Sequence, residues 1–425
     1  MSKLLEEILS ADNIALAIKQ VKANKGKPGV DNMSVDEVED YFKDNGETIF
    51  SKIRLRKYKP LPVRRVEIPK GDGSKRPLGI PCVKDRVLQQ AIVQKISPMC
   101  EEVFSEYSYG FRPNRRCENA IVKALEYFND GYDWLIDLDL SKFFDNVDQD
   151  ILMILLHKII KDGDTESLIR RFLQSGVNIG GIISPTNIGT PQGGNLSPLL
   201  ANIYLNEFDK ELERRELRFT RYADDVLICV KSEVAANRVM TSVTRWLKEK
   251  LRVEVNATKT KVARPNDIKY LGFGFYKDNY TTKDWKPKPH IKSIKKFKKK
   301  LRDETIRSIP TSIAYKISRL NPIIRGWINY FRICHMKTLM VKLDGFLRTR
   351  LRMCIWKQWK RPKTRVKRLR QCGLPKWQCK AYGNTRKGYA RVARSGFMTQ
   401  AIPKKTFDKA NLVSLLDYYL LQQNF

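Results

Sequence analysis

Histidine is almost missing from this chain: three residues in 425, at positions 157, 290 and 335. That scarcity excludes centres built from clustered imidazoles, the histidine-rich nucleases among them. Eight cysteines stand at 82, 100, 117, 229, 334, 354, 372 and 379, and none forms a CxxC pair. Even the nearest two, Cys372 and Cys379, lack zinc-site spacing, and no secretory pattern opens the sequence. The thiols therefore read as buried and reduced, as in a cytoplasmic protein. Long apolar runs are lacking too. Stretches such as Ile151–Leu156 fall far short of the roughly 20 residues that cross a bilayer, which excludes a membrane-spanning role. There is no internal repeat and no long low-complexity tract.

Negative charge is scarce, and unevenly so. Lys and Arg number 81 against 46 acids, for a net charge of +35. Residues 1–285 carry 45 basic and 41 acidic side chains, whereas residues 286–370 carry 27 and 3. Beyond residue 285 the acids are Asp303, Glu304, Asp344, Asp408 and Asp417, too far apart for a second carboxylate centre. A nearly balanced body joined to a strongly positive segment implies a polyanion clamp. The 42% hydrophobic content suffices for substantial cores, in about two to four domains at this length.

Residues 1–50 read as short amphipathic helices around a Gly/Pro loop at 25–31. A basic hairpin follows, Arg64–Pro69 returning through Lys75–Pro81. Helical periodicity covers Asp85–Phe104, Cys117–Phe128 and residues 149–174. Trp134–Leu140 alternates apolar and acidic residues, the pattern of a half-buried strand. The glycine-rich loop Gly189–Pro198 precedes an apolar helix, Leu199–Leu217. Strands Arg218–Ala223 and Val226–Lys231 join at Asp224-Asp225; a helix, Val234–Leu251, and strands near Val253–Val255 and Lys269–Tyr276 complete the region. Strand–helix–strand–strand–helix–strand is the order of a ferredoxin-like sheet. From Ile291 the pattern turns helical and basic, with apolar positions for a bundle.

Asp139 ends one strand and Asp224-Asp225 tips a hairpin 85 residues later. On adjacent strands such carboxylates converge, and their repulsion calls for divalent cations. Oxygen ligands favour Mg²⁺, and two such ions suit nucleotidyl transfer. An isolated Asp-Asp is ordinarily a hydrophilic turn; its setting between apolar β segments, with Asp139 and the glycine-rich loop, favours chemistry.

These blocks carry a resemblance. Tyr222-Ala223-Asp224-Asp225 resembles the YxDD box of reverse transcriptases, with the alanine common in group II intron enzymes. Asp139-Leu140-Ser141-Lys142-Phe143-Phe144-Asp145 resembles their first metal-binding motif. Gly189-Thr190-Pro191-Gln192-Gly193-Gly194, with Leu196-Ser197-Pro198 and Asn202, resembles the intervening motif, and Tyr109-Gly110-Phe111-Arg112-Pro113 another block. The order is right from about residue 25 to the tail.

The resemblance implies an α+β right-hand polymerase: fingers, a ferredoxin-like palm and an α-helical thumb or maturase domain. Residues 1–50 would be an amino-terminal extension, 51–285 fingers and palm, 286–370 the basic thumb, and 371–425 a small DNA-binding tail. It further implies that Asp139, Asp224 and Asp225, with the Leu140 carbonyl, hold two Mg²⁺ ions, Mn²⁺ being able to substitute. Lys70 and Arg76 would grip the incoming triphosphate, and Gln192 would lie beside its sugar and base. Phe144 would be the steric gate against a 2′-hydroxyl, and Lys261 would protonate departing pyrophosphate, with Lys259 a near neighbour. Ile324-Arg325-Gly326-Trp327-Ile328-Asn329-Tyr330-Phe331 resembles the family's thumb.

The partners implied are an RNA template with a DNA primer, dNTPs, group II intron RNA and target DNA, without a membrane. Lys295, Lys296, Lys298, Lys299, Lys300 and Arg325 are the candidate nucleic-acid contacts, with binding that weakens in salt. The nearby aromatics read mainly as bundle core. Neither an RNase H nor an HNH nuclease pattern is present. A non-catalytic splicing scaffold would not need the carboxylates, Lys70, Arg76 and Gln192. A retron or diversity-generating enzyme fits less well with the extended basic thumb, and an RNA-dependent RNA polymerase less well with Phe144.

Overall fold

The computed structural model describes residues 2–69, 73, 75–190, 193–280 and 282–423. It divides into two compact units, Met1–Arg264 and Pro265–Phe425.

In the first unit, helices Lys3–Leu9, Ala11–Ala23 and Val38–Arg54 lead into a four-stranded sheet. Its strands are β1 (Val63–Pro69), β2 (Lys75–Ile80), β4 (Val177–Ile179) and β5 (Ile182–Ser184), in the order β2-β1-β4-β5. The basic hairpin of the sequence is β1–β2, with Arg64 opposite Ile80 and Pro69 opposite Lys75. Lys70 lies outside the described residues. Residues 149–174 are two helices, Gln149–Ile160 and Gly163–Leu173. Lys161 takes a left-handed backbone at φ +48°, and the Asp162 carboxylate caps the second helix through the Asp164 and Thr165 amides.

The palm sheet joins β3 (Trp134–Asp139), β6 (Arg218–Tyr222), β7 (Asp225–Val230) and β8 (Lys261–Ala263) in the order β6-β7-β3-β8, every pairing antiparallel. Period two sorts its faces. Ile136, Leu138, Val226 and Ile228 enter the main hydrophobic core, together with helices Val83–Glu101, Ser197–Arg214 and Glu233–Leu251. Asp139, Asp137, Asp225 and Leu227 share the opposite face.

One strand assignment needs correction. The fourth palm strand is Lys261–Ala263, whereas the alternation near Lys269–Tyr276 belongs to β9 (Phe273–Lys277), which pairs with β10 (Trp285–Pro289) in a separate hairpin. Three residues are too few for a visible alternation, and β9 is the longer and more aromatic segment. Residues 253–255 form no strand; Val255 makes a single bridge to Leu140.

The second unit contains that hairpin and helices Ile291–Glu304, Ile313–Phe331 and Lys337–Gln358, followed by shorter helices. The compact division therefore precedes residue 285. Phe297 and Trp327 stack with centroids 4.5 Å apart, and Phe297, Phe331 and Trp356 are buried, as bundle core. Among the described residues no helix is long and apolar enough to cross a membrane.

Candidate active site

Antiparallel register sets Asp139 directly opposite Asp225, the last pair of the β3–β7 ladder. Such pairs lie about 4.5–5.5 Å apart at Cα. The β6–β7 hairpin closes with Tyr222 opposite Asp225, so Ala223 and Asp224 form its tip. Ala223 has φ +58°, a left-handed conformation in which a Cβ is strained.

A buried network holds that tip. The Arg221 guanidinium donates to the Asp209 carboxylate (Nε–Oδ1 2.7 Å), to Asn202 Oδ1 (2.9 Å) and to the Ala223 carbonyl (3.1 Å). Both members of the Arg221–Asp209 ion pair are 0% exposed. Asn202 Nδ2 in turn donates to the Gly110 carbonyl at 2.8 Å. Gly110 presses against the tip so closely that a Cβ there would lie 2.3 Å from the Ala223 nitrogen. The 107–110 segment also bonds β6 on both sides of Arg221, through Tyr109 N to Arg221 O and Arg221 N to Tyr107 O. These packing and tethering roles account for Gly110 and Asn202 structurally.

A second brace forms behind Phe144. The Gly189 amide donates to the Val147 carbonyl at 2.8 Å and the Thr190 amide to the Phe144 carbonyl at 2.7 Å. Gly189, at φ +84°, would bring a Cβ within 2.7 Å of the Asp145 carbonyl, so only glycine docks the loop here. Gln192 lies outside the described residues.

Asp139, Leu140, Phe144, Asp224 and Arg76 line one cleft of about 560 Å³, with Arg65, Lys142 and Lys259. Its volume falls in the range of small-molecule sites. The carboxylates belong to the palm, and Arg65 and Arg76 to the β1–β2 hairpin. Lys259 reaches Asp139, with Nζ 3.3 Å from Oδ2. Lys261 sits on β8 opposite Asp137. Lys259 lies in the turn at 257–259 just before β8, while the Asn256 amide donates to the Asp139 carbonyl at 2.8 Å, so no strand periodicity in the sequence marks its approach to Asp139. Sequence reading named Lys259 only as a neighbour. It missed Arg221, which looks like an ordinary strand residue until its buried partners are known.

Among the described residues no three His, Cys, Asp or Glu side chains already close on one point. The donor set nevertheless fits hard divalent cations. Asp139 and Asp224 line the cleft, Asp225 pairs with Asp139 across the strands, and the Lys259 ammonium stands where positive charge belongs. Water and substrate phosphates would complete the coordination.

Residues 68–275 match the family described as "Reverse transcriptase (RNA-dependent DNA polymerase)", and residues 294–373 match "Group II intron, maturase-specific domain". Protein YkfC of Escherichia coli (strain K12) is 31% identical over 307 residues, covering 63% of this chain and 81% of YkfC. This chain is a member of the group II intron reverse transcriptase family. The group II intron-encoded protein LtrA of Lactococcus lactis subsp. cremoris is 35% identical over 221 residues, 52% of this chain and 37% of LtrA. A putative COX1/OXI3 intron 2 protein of Saccharomyces cerevisiae is 26% identical over 69% of this chain and 40% of its own length. The chain thus spans well under half of those two intron-encoded relatives. Membership fits a right-hand polymerase fold of mixed helix and sheet, and reverse transcriptases generally use divalent metals.

In this reverse transcriptase the candidate clamp residues lie in the second unit. Lys295, Lys296, Lys298, Lys299 and Lys300 belong to helix Ile291–Glu304, whose buried side carries Phe297 and Leu301. Lys296 and Lys300 line a groove with Trp327 and Tyr330, while exposed Arg325 lies outside its lining.

Proposed function

We propose that this chain extends DNA primers on RNA templates and binds group II intron RNA to assist its splicing and retrohoming. The observation that carries the polymerase reading is the pairing of Asp139 with Asp225 at the end of the β3–β7 ladder, where Asp139 and Asp224 line a cleft together with Arg76 of the hairpin.

Asp139, Asp224 and Asp225, with the Leu140 carbonyl, would hold two Mg²⁺ ions. When bound, these lower the pKa of the primer 3′-hydroxyl and stabilise charge on the leaving pyrophosphate. The 3′-oxygen, its proton passing to water, would form a bond to the α-phosphorus of a dNTP as the bond to the α–β bridging oxygen breaks and pyrophosphate leaves. Arg76, with Lys70, offsets charge on the β- and γ-phosphates. Phe144, packed on Phe143 with centroids 5.4 Å apart and lining the cleft beside Leu140, closes the space a ribose 2′-hydroxyl would need. Gln192 would face sugar and base, and Lys261, or Lys259 beside Asp139, would supply a proton to pyrophosphate. The lysines of helix Ile291–Glu304 and Arg325 would bind phosphates of template–primer and intron RNA through backbone and shape.

Primer extension on an RNA template with Mg²⁺ tests this. Asp224→Asn should abolish extension while leaving RNA affinity within about twofold of wild type, a margin of under 0.5 kcal/mol. Equal loss of both would contradict the metal-holding role.

A further inference from the structure

Helices Pro362–Gln371 and Lys376–Gly383 pack closely, because Gly383 opposes Val366: a Cβ on Gly383 would lie 2.5 Å from Val366 Cγ2. Beside this crossing runs a groove of about 750 Å³ lined by Lys363, Lys367, Arg370 and Lys380. Lys363, Lys367 and Arg370 follow one helical stripe, at spacings that place them on a common face. No acidic residue occurs between Asp344 and Asp408, so nothing in this stretch of sequence neutralises the groove. Trp377 lies just outside the groove's lining, on the same side of the second helix as the lining residues Lys380 and Asn384 three and seven residues on, and the residue is 68% exposed. An indole so bare is unusual on a soluble surface, since aromatic rings favour contact with apolar or π partners.

We propose that this groove binds an unpaired polynucleotide strand, with phosphates along the cations and a base stacked on Trp377. A duplex would satisfy the lysines but offer Trp377 no base face. A protein partner would have to be acidic and aromatic at once. The proposal rests on reading the second unit as nucleic-acid binding, and it is independent of the polymerase chemistry.

The test uses the full chain and anisotropy of fluorescein-labelled oligo(dT), oligo(U) and a duplex of equal length, across a KCl series. Trp377→Ala should weaken strand binding about 5- to 150-fold, with Trp377→Phe restoring most of it and duplex affinity little changed. Comparing oligo(dT) with oligo(U) assigns the strand as DNA or RNA. Neutralising Lys363, Lys367 and Lys380 to Gln should flatten the log–log salt slope for the strand by about 2. Equal loss for strand and duplex in Trp377→Ala, or no loss in either, overturns the stacking role. So does a Trp377-dependent oligomer in sedimentation, which would make the surface a protein interface. If the slope ignores this triple variant but responds at Lys295–Lys300, the groove is refuted and the clamp reading survives.

Discussion

Replacing Arg221 by methionine, alone and with Asp209→Leu, separates what the buried network does for stability from what it does for the tip. The single variant leaves the Asp209 carboxylate, 0% exposed, without its counter-charge. Breaking a buried pair from one side costs about 3–5 kcal/mol, roughly 6–20 °C in Tm for a unit of this size. The double variant removes both charges, and replacing a buried pair with packed apolar groups is often near neutral, so most of that stability should return. The hydrogen bond to the Ala223 carbonyl, 3.1 Å in the wild type, does not return. Without it the strained left-handed Ala223 relaxes and Asp224 shifts. Misplacement of about 1 Å costs on the order of 100-fold in rate. Thermal melts, chemical denaturation and single-turnover primer extension should therefore diverge: stability recovered, turnover still low. A double variant that regains both would refute the tethering argument.

Other perturbations address other parts. Phe144→Ala should let rNTPs compete in primer extension, and unchanged sugar selectivity would remove the gate. Changing Lys295, Lys296, Lys298, Lys299 and Lys300 to Gln should flatten the salt slope of RNA binding by roughly 3–4, and an unaltered slope would place the polyanion elsewhere. Asp85 is buried, and although Tyr58 and the Leu61 amide hydrogen-bond it, burial dominates and raises its pKa to about 6 from 3.8. The folded state therefore keeps a proton that the unfolded chain releases. Stability should fall by up to about 3 kcal/mol as pH rises from 4 to 6, then level off. Asp85→Asn should erase that slope in denaturation measured across the same window; persistence of the slope would assign it to another group.

Much of the palm was legible because its chemistry and its periodicity coincide. Asp139 falls on the acidic phase of an alternating strand, and Asp224-Asp225 interrupts two apolar strands where a hairpin must turn. Helices Val83–Glu101 and Glu233–Leu251 were also visible, since each repeats apolar positions over 19 residues. Other parts carry no local signal. The three-residue strands β4, β5 and β8 are too short for alternation to register. The break at Lys161 depends on a left-handed residue that is not glycine, followed by a carboxylate cap. Arg221 gains its meaning only from Asp209 and Asn202, which approach it across the fold.

The Asp139–Asp225 pair also constrains chain length. Side chains alternate sides along each strand, so one residue inserted into β3 or β7 would send one carboxylate into the apolar layer occupied by Leu138 and Val226. Point changes on the packed side can be absorbed by repacking, but no rotamer compensates for a shift of one. These two segments should therefore be the places where single-residue insertions and deletions are tolerated least, whatever residue is added.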